Sequence, residues 1–178
     1  MVLSPKRLCI PGLVLAGLLF VLGGCDLSTS EKDLDHLLGS WRVEDVSVDG
    51  ISVKARLDAQ YAPLVLTLRE SGGDREFFTL VGQGENAEQD LFVQGTFRVE
   101  SEQDELLLSP NSGPFVELNY MAPDAEGSRL RLSADEGESE DRFLTLIGLP
   151  VQGAVDRLEI RLSKDDGTAA KKQFPNLQ

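Results

Sequence analysis

The chain has 178 residues, of which 41% are hydrophobic and 26% are charged, and its 30 acidic residues outnumber its 17 lysines and arginines to give a formal net charge of −13 at pH 7. A surface this acidic repels nucleic-acid phosphates and anionic lipid headgroups, which argues against both as partners. The length suits one domain with a single hydrophobic core.

The first 24 residues have the pattern of a secretory signal peptide. The basic pair Lys6-Arg7 precedes an apolar run from Leu8 to Gly24 that ends in small residues, as at the cleavage site of such signals. Leu22-Gly23-Gly24-Cys25 resembles the lipobox of bacterial lipoproteins, in which the cysteine thiol receives a diacylglycerol and becomes the first residue after cleavage. The alternative is a transmembrane anchor, because the run approaches the roughly 20 residues of a spanning helix. Pro11 and the glycines argue against that alternative.

We therefore expect a protein of the bacterial cell envelope, held to the inner or outer membrane by acyl chains such as palmitate on Cys25. Two or three chains anchor a protein firmly, because each buried methylene contributes about 0.8 kcal/mol. An aspartate directly after the cysteine, here Asp26, resembles the signal for inner-membrane retention in enterobacterial lipoproteins. The choice between the inner and the outer membrane stays open. Removal of residues 1–24 takes away two basic residues and changes the net charge from −13 to −15. Cys9 leaves with the signal, so no disulfide is available and the fold must depend on its core.

The next segment predicts a polar tether followed by a short helix. Ser30 and Asp33 have the spacing of a capping box, and Gly39 is placed to end the helix. This is the one helix that the sequence clearly predicts, and it carries His36, the single histidine of the chain. The predicted organisation is a signal peptide over 1–24, a tether over 25–33, a folded domain over 34–164 and a loose tail over 165–178.

From Ser40 onward, hydrophobic residues alternate with polar ones and turn residues recur every eight to twelve positions, which is typical of an all-β domain. The alternation of hydrophobic and polar residues shifts by one position at Glu44-Asp45, which predicts a β-bulge. Asp49-Gly50 predicts a two-residue hairpin turn. The predicted strands cover residues 41–48, 51–57, 64–69, 77–81, 90–100, 106–109, 115–121, 129–133, 142–147 and 157–163. About eight to ten short antiparallel strands favour an up-and-down barrel, because closure removes the edges. A β-sandwich is the alternative.

Two short motifs add a family resemblance. Leu38-Gly39-Ser40-Trp41-Arg42-Val43 places Gly-x-Trp at the start of the first strand and resembles the lipocalin signature. Gln94-Gly95-Thr96-Phe97-Arg98-Val99 is similar to the mid-chain Gly-Thr-aromatic strand of the lipocalin-like domains found in bacterial lipoproteins. The resemblance implies that Trp41 plugs the closed end of the barrel and that an arginine of the last strand, Arg161 or Arg157, packs over it.

The same resemblance implies a cavity for an apolar small molecule, since barrels of this size can hold one ligand. The candidate ligand-binding residues are Trp41, Phe97, Tyr120 and Arg161. The alternative is an interaction module, in which bulky side chains fill the barrel. In that case an outer face, or a loop such as Gly148-Leu149-Pro150-Val151, docks another envelope protein.

Catalytic and metal-binding patterns are weak. One histidine and no free thiol argue against a histidine-based zinc site or a nucleophilic relay. The run from Gly82 to Ala87 matches a dinucleotide fingerprint but lacks the helix and parallel sheet that the fingerprint needs, so we interpret it as a loop. The acidic run over 135–141 lacks the spacing of a calcium loop and is interpreted as a solvated turn. We expect a non-enzymatic protein without cofactor or metal; a hydrolase is a distant alternative.

Overall fold

The computed structural model describes residues 34–71, 75–121, 123–124, 126–135, 137–150 and 153–165. The predicted signal peptide, the tether with Cys25 and all of the predicted tail except Asp165 lie outside these residues. None of the helices in the described part of the chain is long and apolar enough to cross a membrane. After a helical turn at 34–37, the elements are β1 (Gly39–Val48), β2 (Ile51–Ser52), α1 (Lys54–Gln60), β3 (Leu64–Ser71), β4 (Arg75–Gly82), a 3-10 turn (Ala87–Gln89), β5 (Leu91–Glu100), β6 (Glu105–Pro110), β7 (Val116–Met121), β8 (Arg129–Asp135), α2 (Ser139–Leu146) and β9 (Arg157–Lys164).

Eight of these strands form one closed antiparallel barrel. β1 and β3 to β9 pair in chain order, and β1 also pairs with β9, from Trp41 opposite Lys164 to Val48 opposite Leu158. The short β2 pairs with the last two residues of β1. Closure confirms the predicted up-and-down barrel, so the alternative of a β-sandwich is wrong. It also leaves none of the eight strands as a free edge.

The bulge and the first hairpin turn lie where the sequence predicts them. The pairing of β1 with β9 shifts register between Val43 and Asp45, so Glu44 is the extra residue of the bulge. Asp49 and Gly50 have φ angles of 51° and 79°, the left-handed values that a two-residue hairpin turn requires. The bulge turns Asp45 toward the outer wall of the barrel beside β2 and β9, where it becomes part of the recess described below.

α1 replaces half of a predicted strand. The sequence predicts a strand from Ile51 to Leu57, but β2 ends at Ser52 and α1 begins at Lys54. Val53 and Leu57 are four residues apart, and this spacing places two side chains on one face of either a strand or a helix. The backbone N–H of Leu57 donates to the carbonyl of Val53 over 3.0 Å, and the Leu57 side chain is buried. The helix therefore satisfies the same hydrophobic pattern.

α2 also corrects a predicted strand, the one over 142–147. Its buried positions, together with the residue after its end, have the spacing i, i+3, i+4 and i+7: Glu140, Phe143, Leu144 and Ile147. This period belongs to a helix and not to a strand. A prediction that starts at residue 142 leaves out Glu140, the first member of the series, and the remaining short apolar run fits either element.

Alternate residues of the strands face a common hydrophobic core. Along β5, Gly95 and Phe97 are buried, while Gln94, Thr96 and Arg98 are exposed. The same alternation appears along β7, β8 and β9. The inward side chains of all eight strands belong to one buried cluster that also includes side chains of α1 and α2.

Candidate functional site

Trp41 closes one end of the barrel. Its side chain is completely buried, and the indole Nε1 donates to the carbonyl of Leu37 over 2.7 Å. Lys164 Nζ lies 4.2 Å from the centroid of the indole ring and donates to the carbonyl of Leu38 over 2.7 Å. The helical turn at 34–37 and Lys164 together cover the tryptophan from the outside.

The cation over Trp41 is a lysine, so the expected arginine is a wrong prediction. Arg157 and Arg161 lie on the outward side of β9 with its exposed residues. Lys164 lies on the other side, in line with Leu158, Ile160 and Leu162, which are buried. Arg161 forms an ion pair with Asp45, and Arg157 forms one with Asp135 over 3.4 Å. Because alternate residues of a strand face opposite sides, neither arginine is on the side of β9 that meets the indole.

The opposite end of the barrel is closed by the two inserted helices. α1 joins β2 to β3 and α2 precedes β9, and both connections lie at the end where Val48 pairs with Leu158. Gln60 Nε2, at the end of α1, donates to the carbonyl of Gly148, just after α2, over 3.1 Å. The side chains that enter the core from this end are Leu57, Tyr61, Phe143, Leu144, Ile147 and Leu149. A ligand would have to displace them to enter the barrel from this side.

Three of the four candidate ligand-binding residues lie inside the barrel and one does not. Trp41, Phe97 and Tyr120 belong to the buried cluster, and each is at most 5% exposed. Arg161 points to the outer wall, and 56% of its side chain is exposed. The structure therefore does not bring the four together into one binding site. The three aromatic residues belong to one buried cluster with aliphatic residues of the barrel.

One residue of the candidate docking loop after α2, Leu149, is turned toward the interior. Leu149 is only 3% exposed and belongs to the core, and its backbone N–H donates to the carbonyl of Leu144 over 2.8 Å. Gly148 is held against Gln60. Val151 lies outside the described residues. Leu149 therefore serves the core, whereas Gly148 and Pro150 are exposed, and docking by this loop stays a prediction.

A recess of about 880 Å³ lies on the outer wall of the barrel, between the β1 bulge, β2, β8 and β9. We call it the outer recess. Its charged lining residues are Glu44, Asp45, Lys54, Asp124, Arg129, Arg131 and Arg161. No pattern of the sequence predicts this recess, because its residues come from five separate strands, from α1 and from the loop before β8.

Asp45 is the most enclosed charged group of the outer recess. Its carboxylate accepts hydrogen bonds from Ser52 Oγ over 2.5 Å, from Ser47 Oγ over 3.4 Å and from Arg161 Nη2. Burial alone would raise the pKa of Asp45, but the hydrogen bonds from Ser52 and Arg161 and the charge of Arg161 outweigh it and hold the pKa below the ordinary 3.8. The carboxylate therefore stays ionised and orients Arg161.

The other two carboxylates of the outer recess are also hydrogen-bonded. Glu44 accepts a hydrogen bond from Ser163 Oγ over 2.6 Å. Asp124 accepts from the backbone N–H and the hydroxyl of Ser128 over 2.7 and 2.9 Å. These two hydrogen bonds are the main cause of its lowered pKa. The carboxylates thus serve as structural acceptors around a group of cations.

A second, acidic recess of about 450 Å³ lies beside α2 and includes Glu105, Glu117 and Glu140. Glu140 is completely buried, which corrects the interpretation of a solvated turn for this residue, whereas Asp135, Glu138 and Asp141 of the same run are exposed. Its Oε1 accepts a hydrogen bond from the Gly137 N–H over 3.2 Å. Within the described ranges, no group of three or more His, Cys, Asp or Glu residues is arranged to hold a metal ion.

The glycine-rich run after β4 is a loop, as predicted. β4 ends at Gly82, and a single 3-10 turn at Ala87–Gln89 precedes β5. The N–H of Gly84 donates to Asp90 Oδ1 over 3.0 Å. The element that follows is an antiparallel strand, so the dinucleotide fingerprint has no helix to support it.

Searches against protein-family models and against curated proteins find no match to this chain. The barrel, the outer recess and the motifs of the sequence are therefore the features that bear on function.

Proposed function

We propose that this is a lipid-anchored protein of the bacterial cell envelope whose filled, lipocalin-like barrel serves as a rigid scaffold for recognition on its outer wall. The observation that carries the proposal is the closure of both ends of the barrel by side chains of one buried cluster. Trp41 closes one end, and Leu57 and Leu144 help to close the other. A carrier would need an interior opening at one of them.

The volume that a ligand requires also favours a scaffold. Sites for small molecules commonly enclose about 300–1,000 Å³. The interior of this barrel holds large side chains from several strands, among them Phe78, Phe97 and Tyr120. The outer recess, at about 880 Å³, has the required size, and charged side chains line it. Recognition of a polar group at the outer wall therefore suits the geometry better than storage of an apolar molecule inside.

The lipid anchor is supported by the sequence. Leu22-Gly23-Gly24-Cys25 follows a basic start and an apolar run, and acyl chains on Cys25 would hold the barrel close to a membrane surface. An anchored scaffold needs no freedom to carry a ligand between compartments, so the two parts of the proposal are consistent with each other.

Native mass spectrometry tests the filled interior. We expect the wild-type protein to carry no non-covalent adduct after incubation with a fluorescent fatty-acid analogue, and to show no saturable fluorescence change. Leu144→Ala removes a buried side chain at the helical end and should create a small apolar cavity that admits a probe such as benzene but not the fatty-acid analogue. Leu107→Ala is the matched control, because Leu107 lies on the outward face of β6 and is only partly buried. A stoichiometric adduct on the wild-type protein would favour an interior carrier instead.

Fractionation of cells tests the anchor. Cys25→Ser should move the protein from the membrane fraction to the soluble fraction and abolish labelling by palmitate. Cys9→Ser is the matched control, because Cys9 lies in the segment that the signal peptidase removes, and it should leave both readouts unchanged. Continued membrane sedimentation and labelling of the Cys25→Ser variant would refute the lipid anchor.

A further inference from the structure

The outer recess gathers cations in an otherwise acidic protein. The chain has 30 acidic and 17 basic residues, yet three arginines and one lysine line this recess beside three carboxylates. Its lining therefore carries a net positive charge, while the whole chain carries −13. A local reversal of the overall charge is the electrostatic pattern of a site for an anion.

The register of β8 and β9 places the Cβ atoms of the three arginines close together on one face of the sheet. Arg131 lies directly opposite Arg161, and Arg129 lies opposite Ser163. Opposed residues of antiparallel strands have Cβ atoms about 4.5–5.5 Å apart, and residues two apart on one strand are separated by about 7 Å. All three arginine side chains face the outer wall and are exposed.

The pairing of Arg131 with Arg161 is unfavourable by itself, because like charges directly opposite each other destabilise a sheet. Asp45 balances Arg161, and Glu159 balances Arg131 over 3.5 Å. Arg129 is held less closely: its charge helps to lower the pKa of Asp124, but within the described residues its guanidinium is in no salt bridge. One cation of the cluster is thus less tightly paired than the two others, which their acidic partners hold in place.

We propose that the outer recess binds a phosphate group through Arg129, Arg131 and Arg161. Guanidinium groups present paired N–H donors that match the oxygens of a phosphate, and several cations around one point favour a dianion over a single carboxylate. Asp45 fixes the direction of Arg161, and Lys54, at the rim of the recess, adds a fourth positive charge. This proposal deepens recognition on the outer wall and does not depend on the lipid anchor.

Calorimetry with inorganic phosphate tests the site. The full chain, purified in a non-ionic detergent, is titrated at constant ionic strength with sodium chloride as the reference, and we expect saturable binding that weakens with added salt. Arg129→Gln should weaken binding about ten- to a hundredfold, the loss expected for hydrogen bonds to a charged group. Arg131→Gln is a second variant with the same expected direction, and thermal unfolding without phosphate checks that each variant is folded.

Arg69→Gln is the matched control, because Arg69 is an exposed arginine of β3 outside the recess and its loss changes the net charge by the same amount. We expect the control to bind phosphate as the wild type does. Equal weakening by Arg69→Gln and Arg129→Gln would reduce the effect to overall charge and overturn the proposal. Absence of saturable binding to the wild-type protein would overturn it as well.

A second probe separates two sources of the phosphate. Glycerophosphoglycerol is the soluble headgroup of phosphatidylglycerol, and tighter binding of this diester than of inorganic phosphate would assign the site to a lipid headgroup. Tighter binding of inorganic phosphate would assign it to a free phosphate or a phosphate monoester. Both outcomes support a phosphate site. The fatty-acid test reports on the barrel interior alone, so failure of one proposal can be told from failure of the other.

Discussion

Lys164 Nζ lies 4.2 Å from the centroid of the Trp41 ring, and the same ammonium group donates to the carbonyl of Leu38 over 2.7 Å. Trp41 in turn donates to the carbonyl of Leu37. The last residue of β9 and the turn before β1 are therefore tied to the same indole. This arrangement closes the end of the barrel where the first and last strands meet.

Truncation of Trp41 should be strongly destabilising. We expect Trp41→Ala to lower the free energy of unfolding by about 3–5 kcal/mol, because it leaves a large cavity at the end of the barrel. Trp41→Phe should cost less, since most of the volume is retained. Urea denaturation followed by circular dichroism measures both, as Trp41 is the single tryptophan and fluorescence is lost with it. A loss below about 1 kcal/mol for the alanine variant would contradict its role as a core plug.

Removal of the cation over the ring should have a smaller effect. Lys164→Met keeps an apolar side chain of similar length but removes the cation–π contact and the hydrogen bond to Leu38, so we expect a loss of about 1–2 kcal/mol. Lys54→Met is the control, because its exposed i,i+4 pair with Asp58 contributes about 0.5 kcal/mol or less. The wavelength of Trp41 emission should change in the first variant and not in the second. Equal losses in the two would show that Lys164 is an ordinary surface residue.

The Asp45 cluster should make stability depend on pH in the acid range. The pKa of Asp45 is held below 3.8 in the folded protein, so its contribution is present above that pH and is lost as the pH falls through the folded-state pKa. We expect Asp45→Asn to lower the free energy of unfolding by about 1–3 kcal/mol at neutral pH.

The difference between wild type and Asp45→Asn should then shrink as the pH falls below 3.8. Urea denaturation at a series of pH values measures this difference. Asp58→Asn removes an exposed carboxylate of α1 and is the control; we expect it to have little effect at any pH. A difference between wild type and Asp45→Asn that stays constant down to acid pH would contradict the lowered pKa.

Gly148 should not tolerate a side chain. Its φ is 69°, and a Cβ at this position would lie 2.8 Å from both Tyr61 Oη and Gln60 Nε2. Gly148→Ala should therefore cost more than the roughly 1 kcal/mol of backbone strain alone. Gly127→Ala is a matched control, because Gly127 has a φ of 64° and open space around its Cβ position. Thermal unfolding compares the two. Equal costs would show that the contact between the ends of α1 and α2 is loose.

The short helices show why part of the fold escaped sequence-based prediction. Val53 and Leu57 fit both a strand and a helix, and the choice depends on what each side chain packs against. Around α2, the decisive residue is Glu140, a buried carboxylate that a hydrophobic pattern does not count. The sequence therefore predicts fewer helices than the structure has, because the spacing of hydrophobic residues does not distinguish a short helix from a short strand here.

The sequence by itself determined the alternating strands of an all-β domain, the bulge and the first hairpin turn. Alternation separates inside from outside along each strand, and Asp49-Gly50 specifies its turn through the conformational freedom of two neighbouring residues. These are local properties. Only the tertiary structure decided which basic residue covers Trp41, how the far end of the barrel is filled and which arginines meet in the outer recess. Those features depend on the register between β1, β8 and β9, which is set by closure of the whole sheet and cannot be read from any one strand.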